Sequence, residues 1–217
     1  MKLEKGQKLL FIGDSITDCD RGKPEGEGLF GALGKGYVSF VDALLQSVYP
    51  ELGIRVVNKG ISGNTVRKLK DRWQADVIEQ NPDWLVIMIG INDVWRQYDT
   101  PFIKDWHVYI EEYEETLEKL IQETKPKVKG LVLMTPYYLE SNEQDAMRQT
   151  MDQYGEVVKQ LAEKYDCIFI DTQAAFNVVL KDLYSSTLAW DRVHPTATGH
   201  MVLARAFLRE IGFDWDR

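Results

Sequence analysis

Leu9-Leu10-Phe11-Ile12-Gly13-Asp14-Ser15 starts as an unbroken apolar run and ends in a glycine, a carboxylate and a hydroxyl. Apolar residues without polar alternation suit a strand covered on both faces, and the glycine marks where it stops. Four later stretches have the same character, at 54–57, 84–89, 130–134 and 167–170, so that with 8–12 there are five candidate strands. Between them, 37–48, 66–80, 109–123 and 151–165 repeat apolar residues at helical spacing. In the third, Tyr109, Tyr113, Leu117, Leu120 and Ile121 can form one inward face. A last helix over 196–210, introduced by Pro195-Thr196, carries Met201, Leu203, Ala204, Phe207 and Leu208. Strands alternating with helices of this length demand right-handed crossovers onto a parallel sheet. The expected architecture is α/β, a three-layer α/β/α sandwich around a central five-stranded parallel sheet.

The bulk numbers restrict what such a fold can serve. A chain of 217 residues suffices for one substantial core, so a single domain over 1–217 is expected. The net charge of -8 disfavours nucleic acid, whose binding draws on Lys and Arg neutralising phosphates. No run approaches the roughly 18 apolar residues of a membrane span, and the start of the chain has no long apolar signal segment. Cys19 and Cys167 lack the C-x-x-C spacing of a redox pair and read as unpaired thiols. A cytoplasmic location follows as the expectation. Self-association is compatible with all of this but has no sequence signal.

In a parallel sheet of this kind, ligands gather at the carboxyl ends of the strands. Three of the apolar runs end in groups suited to chemistry: Gly13-Asp14-Ser15, Asn58 through Gly60-Ile61-Ser62-Gly63-Asn64, and Gly90-Ile91-Asn92-Asp93. A fourth ends in Thr135-Pro136-Tyr137-Tyr138, and far along the chain lies Asp191-Arg192-Val193-His194-Pro195. A serine hydroxyl needs a nearby base to attack a carbonyl at neutral pH, and a fold can bring Ser15 and His194 to one edge. Each member has a plainer reading as well. Ser15 and Asp14 could cap the first helix or shape its turn, Gly63 could form a tight turn, and Asn92-Asp93 could cap a helix after the third strand.

Taken in order, G-D-S at 13–15, S-G-N at 62–64, G-x-N-D at 90–93 and D-x-x-H at 191–194 resemble the GDSL-type SGNH hydrolase family. The likeness spans almost the whole chain. Within the family it is similar to bacterial cytoplasmic acetylxylan esterases, notably through 56–65 and 88–98. Ile16 stands where the shortest family signature has leucine, a change that touches packing more than proton transfer. The resemblance implies the SGNH-hydrolase (flavodoxin-like) fold and ester hydrolysis, with acetylated xylo-oligosaccharides as the most specific substrate. It puts Ser15 at the nucleophile position, His194 at the base and Asp191 at the acid that orients the base. Gly63 and Asn92 fall at oxyanion-hole positions, where the Ser15 backbone N–H could join them.

No cofactor or metal is implied: the histidines at 107, 194 and 200 lack paired ligand spacing. His107 and His200 are expected to be structural or solvent-facing, and Asp93 to hold its loop. Trp95 and Trp190, beside the catalytic segments, are the candidate walls of the substrate site. The glycine-rich segment 21–36 reads either as a wall on the substrate side or as a surface excursion. A broad short-chain carboxylesterase, a lysophospholipase or a thioesterase would use the same acyl-enzyme chemistry. A carbohydrate-binding protein with a hydrolase-like fold is the non-enzymatic alternative.

Overall fold

A computed structural model describes residues 1–217. Its strands are β1 (Lys8–Gly13), β2 (Arg55–Asn58), β3 (Trp84–Met88), β4 (Gly130–Met134) and β5 (Ile168–Ile170). They form one parallel sheet in the order β2-β1-β3-β4-β5. Every residue of β3 and β4 is buried, as the unbroken apolar runs require. The register sets the chemistry. Gly13 lies beside Met88, and Phe11 beside Asn58, so the chain leaves β1, β2 and β3 at neighbouring points of one edge.

The helices are α1 (Ser15–Asp18), α2 (Tyr37–Val48), α3 (Val66–Asp71), α4 (Ile91–Asp99), α5 (Ile110–Thr124), α6 (Ala146–Lys164), α7 (Thr172–Val179), α8 (Ser185–Leu188) and α9 (Ala197–Glu210). They pack in two groups that flank the sheet, α2 with α9 and α7 in one, and α3, α4, α5 and α6 in the other. Phe11 meets Tyr37 and Phe207 edge-on, with ring centroids 5.6 and 5.1 Å away, so the strand carrying the Gly-Asp-Ser turn is wedged against α2 and α9. None of the helices is long and apolar enough to cross a membrane.

Several expectations need correction. The helix expected over 66–80 stops at Asp71 and resumes as a π-helical turn, Gln74–Ile78. In the interruption, Arg72 turns inward to the sheet edge and Trp73 donates its indole N–H to Thr124 Oγ1. Helix α6 begins five residues before the expected 151, because Asp145 caps it by accepting the Arg148 N–H at 3.0 Å. Tyr109 does not join the inward face of α5. It precedes the helix, is about half exposed, and lies within hydrogen-bond distance of His107. Segment 21–36 runs along the open edge of β2, where Asn58 donates its N–H to the Gly26 carbonyl.

Candidate active site

The turn that leaves β1 is built around two carboxylates. Asp14 accepts the Ile16 N–H at 3.0 Å and so caps α1, which begins with Ser15. One turn later, Asp18 accepts both the N–H and the hydroxyl of Ser62, at 3.0 and 2.9 Å. The Ser15 turn and the segment after β2 are thereby tied together next to Gly63. Gly60 makes that approach possible, since a Cβ there would lie 2.2 Å from the Asp18 nitrogen. Gly63 has a φ of +76°, a left-handed conformation that favours glycine, and its N–H makes no hydrogen bond within the protein backbone.

Asn92, on the first turn of α4, donates its side-chain amide to the Asn64 carbonyl at 2.9 Å. One amide hydrogen is thus engaged in fixing the side chain, and the second is left for a ligand. Beside it, Asp93 accepts the Val66 N–H at 2.9 Å and holds the start of α3. Arg72 closes the frame from outside by donating to Asn64 Oδ1, Lys59 O and Gly13 O. Burial pushes both Asp14 and Asp93 up to about 7, against the stabilising backbone N–H bonds each carboxyl accepts.

The histidine arrives from the other end of the chain. His194 Nε2 lies 2.9 Å from Ser15 Oγ, and Nδ1 lies 2.6 Å from Asp191 Oδ2. The second carboxylate oxygen accepts the N–H groups of Val193 and His194 at 3.0 and 2.8 Å. Burial opposes charge on Asp191, but the hydrogen bonds from the His194 ring and these two N–H groups outweigh it and hold the carboxyl below its ordinary value. An ionised Asp191 needs a hydrogen at Nδ1, which leaves Nε2 as the acceptor for the Ser15 hydroxyl. Tyr137, fully buried at the end of β4, donates its hydroxyl to Val193 O and braces the turn from beneath.

Ser15, Gly63, Asn92 and His194 line one cleft of about 490 Å3. Trp95 stands in its wall, edge-on to His194 at 5.8 Å, with the Arg96 guanidinium 4.8 Å from the ring centre. Trp190 does not line the cleft and is 81 % exposed. No residue of the glycine-rich segment 21–36 lines the cleft; Cys19 and Asp20, which precede it, do. His200 is there too, but in a structural role: Nδ1 accepts the Tyr37 N–H at 3.2 Å, and burial lowers the ring to about 4. His107 is also buried. The importance of Asp18 was legible only as its position three residues after Ser15, on the same helical face. Arg72 gave no local signal, and Tyr137 was legible only as part of the strand-end group 135–138, because the partners of both lie far along the chain.

A serine, histidine and carboxylate joined by hydrogen bonds at the carboxyl edge of a parallel sheet define a serine hydrolase working by acyl transfer. The chain belongs to the GDSL-like lipase/acylhydrolase family, whose sequence profile matches residues 11–202. The acetylxylan esterase of Geobacillus stearothermophilus is 72% identical over 217 residues, covering 100% of this chain and 99% of that protein. The crystal structure of that enzyme, Axe2, matches with a TM-score of 0.99 over 100% of this chain and 99% of its own. Structures of its catalytic mutants S15A, H194A and D191A match equally well. LAE5, an α/β hydrolase from the metagenome of Lake Arreo, is 51% identical over 98% of each chain, with a TM-score of 0.97.

Proposed function

We propose that this protein is a cytoplasmic, single-domain acetylxylan esterase that removes acetyl groups from acetylated xylo-oligosaccharides through an acetyl-serine intermediate. Ser15 Oγ attacks the acetyl carbonyl while His194 Nε2 takes its proton. The oxyanion that forms is met by the N–H groups of Ser15 and Gly63 and by the free amide hydrogen of Asn92. His194 then returns the proton to the departing sugar oxygen, and the C–O bond to the sugar breaks. Water next attacks the acetyl group, giving its proton to His194, and acetate leaves as Ser15 Oγ is reprotonated. Asp191 holds the imidazole in the required tautomer and stabilises it when charged. Trp95 borders the sugar.

The observation that carries this reading is the continuous chain from Ser15 Oγ to His194 at 2.9 Å and on to Asp191 at 2.6 Å. Support comes from the Geobacillus enzyme, whose catalytic mutants fall on serine, aspartate and histidine at the numbers those residues have here. The cytoplasmic assignment draws on two unpaired cysteines, as expected where thiols are kept reduced. The test compares the protein with its Ser15→Ala variant on acetylated xylo-oligosaccharides, p-nitrophenyl acetate and a long-acyl ester. Acetate release from the oligosaccharides that vanishes in the variant is expected. Equal rates would remove Ser15 as nucleophile, and preferential cleavage of the long-acyl ester would reject the substrate.

A further inference from the structure

We propose that the depression next to the oxyanion segment is a glycan subsite, with Trp106 as its stacking platform, for the pyranose unit adjoining the acetylated one. The proposal rests on the esterase reading of the catalytic cleft and extends it along the substrate. Gly63 and Arg96 line both depressions, so a ligand leaving Ser15 in this direction passes directly from one to the other. The volume, about 320 Å3, is that of a small-molecule site rather than a surface wrinkle.

Its lining selects the ligand. Trp106 is the single large apolar residue, and around it stand Lys68, Arg67, Arg96 and Asp105. An acyl chain placed there would strip water from charged groups and return no hydrogen bonds. A pyranose has an apolar face for an indole and hydroxyls at its rim for donors and acceptors. The charges are also balanced in a way that fits a neutral ligand. Arg67 is held by Glu112 at 2.8 and 2.7 Å, and Arg96 is paired with Asp99. Lys68 Nζ has no carboxylate partner and reaches only the Gly63 carbonyl, at 3.3 Å, while Asp105 contributes an acceptor. A phosphate or other anion would find that carboxylate against it.

Trp106 is also held in place while much of its ring is open. It ends the turn Lys104–Trp106 and is 52 % exposed. The Arg67 guanidinium donates to the carbonyls on either side of it, Asp105 O at 2.9 Å and His107 O at 3.2 Å. The buried His107 anchors the same turn. Its Nε2 lies 3.1 Å from the Thr100 carbonyl, which can only accept, so Nε2 carries a hydrogen, and Nδ1 lies 3.2 Å from the Tyr109 hydroxyl. Arg67 belongs to α3, which starts three residues after Gly63. One short stretch of chain therefore sets the spacing between platform and oxyanion segment, and a sugar binding there meets a surface already ordered.

The test uses acetylated xylotriose, p-nitrophenyl acetate and unacetylated xylotriose. In Trp106→Ala, kcat/KM on acetylated xylotriose is expected to fall about tenfold relative to that on p-nitrophenyl acetate, mainly through KM, with Trp106→Phe recovering most of the loss. In a Ser15→Ala background, calorimetry should show xylotriose binding about tenfold weaker once Trp106 is also alanine. A ratio unchanged within about twofold, or equal binding by the single and double variants, would overturn the subsite. Absence of acetate release by the unmodified protein, with binding that still depends on Trp106, would overturn the esterase reading and leave the subsite standing.

Discussion

The two halves of the site are built by different means. On the serine side, three strand ends are stitched to one another by buried polar groups: Asp18 to Ser62, Asn92 to Asn64, Asp93 to Val66, and Asn58 Nδ2 to the carbonyls of Thr17 and Leu33. The acid–histidine turn is local and partly open, its Asp191 hydrogen-bonding two N–H groups and the ring within three residues, with the His194 side chain 41% exposed. The proposed oxyanion frame is thus inseparable from the packing of the sheet edge, whereas the proposed proton-transfer group is fastened onto it at few points. Chemistry and stability should be coupled on the first side and nearly independent on the second.

Asp191→Asn gives the largest effect by which this can be judged. An amide cannot enforce the tautomer that leaves Nε2 free, so kcat should fall by about ten-thousandfold. Asn can still accept the Val193 and His194 N–H bonds, and the melting temperature should hardly move. A large drop in melting temperature would show the turn to be as much a part of the packing as the frame. Asn92→Ala should do both things at once. Loss of one oxyanion donor costs about 10²- to 10³-fold in kcat. Loss of the bond to Asn64 O costs about 1 kcal/mol, or roughly 2–4 °C in a domain of this size. Normal melting with lost activity would break the proposed coupling.

The same contrast governs how much could be read from the sequence. The strands were legible because burial on both faces removes polar residues from their middles, as in Leu131-Val132-Leu133. The order of site motifs was legible because the parallel crossovers bring successive strand ends to one edge. Helix α4 was reduced to a possible cap, since Asn92 and Asp93 at its first turn signal a turn more strongly than a helix. Helices α7 and α8 went unassigned, although Asp171 caps the former through the Ala174 N–H. Trp190 is next to Asp191 and Trp95 three residues from Asn92, yet only Trp95 lines the cleft. Adjacency along a chain does not say which way a side chain turns. Tyr137 and Arg72 could not be placed because their roles depend on where distant carbonyls lie.

Tyr137→Phe tests the buried side-chain brace beneath the acid–histidine turn. Val193 O would lose the hydroxyl that donates to it at 3.0 Å, in surroundings that exclude water. An unsatisfied buried carbonyl costs about 1–3 kcal/mol. Since Asp191 still closes the turn, kcat should fall by less than about tenfold, far below the change in Asp191→Asn. A loss approaching that of Asp191→Asn would mean that the turn cannot hold the ring unaided.

The last comparison concerns how the two halves titrate, and it leaves kcat aside. Asp93 is wholly buried, one oxygen accepts the Val66 N–H, and the other has no partner. Burial first, and the nearby Asp14 charge among lesser causes, raise its carboxyl to about 7. Below about pH 4 the group is neutral whether the chain is folded or not, and it has no pH-dependent effect. Between about 4 and 7 the unfolded chain gives up the proton that the folded chain keeps, so stability falls as pH rises, then levels off. In Asp93→Asn this decline is absent. The melting temperature of the variant minus that of the unmodified protein should therefore climb from pH 4 to pH 7 and stay flat above. His200, lowered to about 4, titrates in the opposite sense, but it is present in both proteins and cancels in the difference. On the other half, the Asp191 carboxyl is lowered, so its own contribution is full above its ordinary value and is lost only as pH falls further, on the acid side of about 4. Calorimetric scans of Asp93→Asn and the unmodified protein across this range decide the matter. A pH-independent difference for Asp93→Asn between 4 and 7 would show that its carboxyl ionises freely inside the frame, and the serine side would then be no more closed to charge than the turn that carries His194.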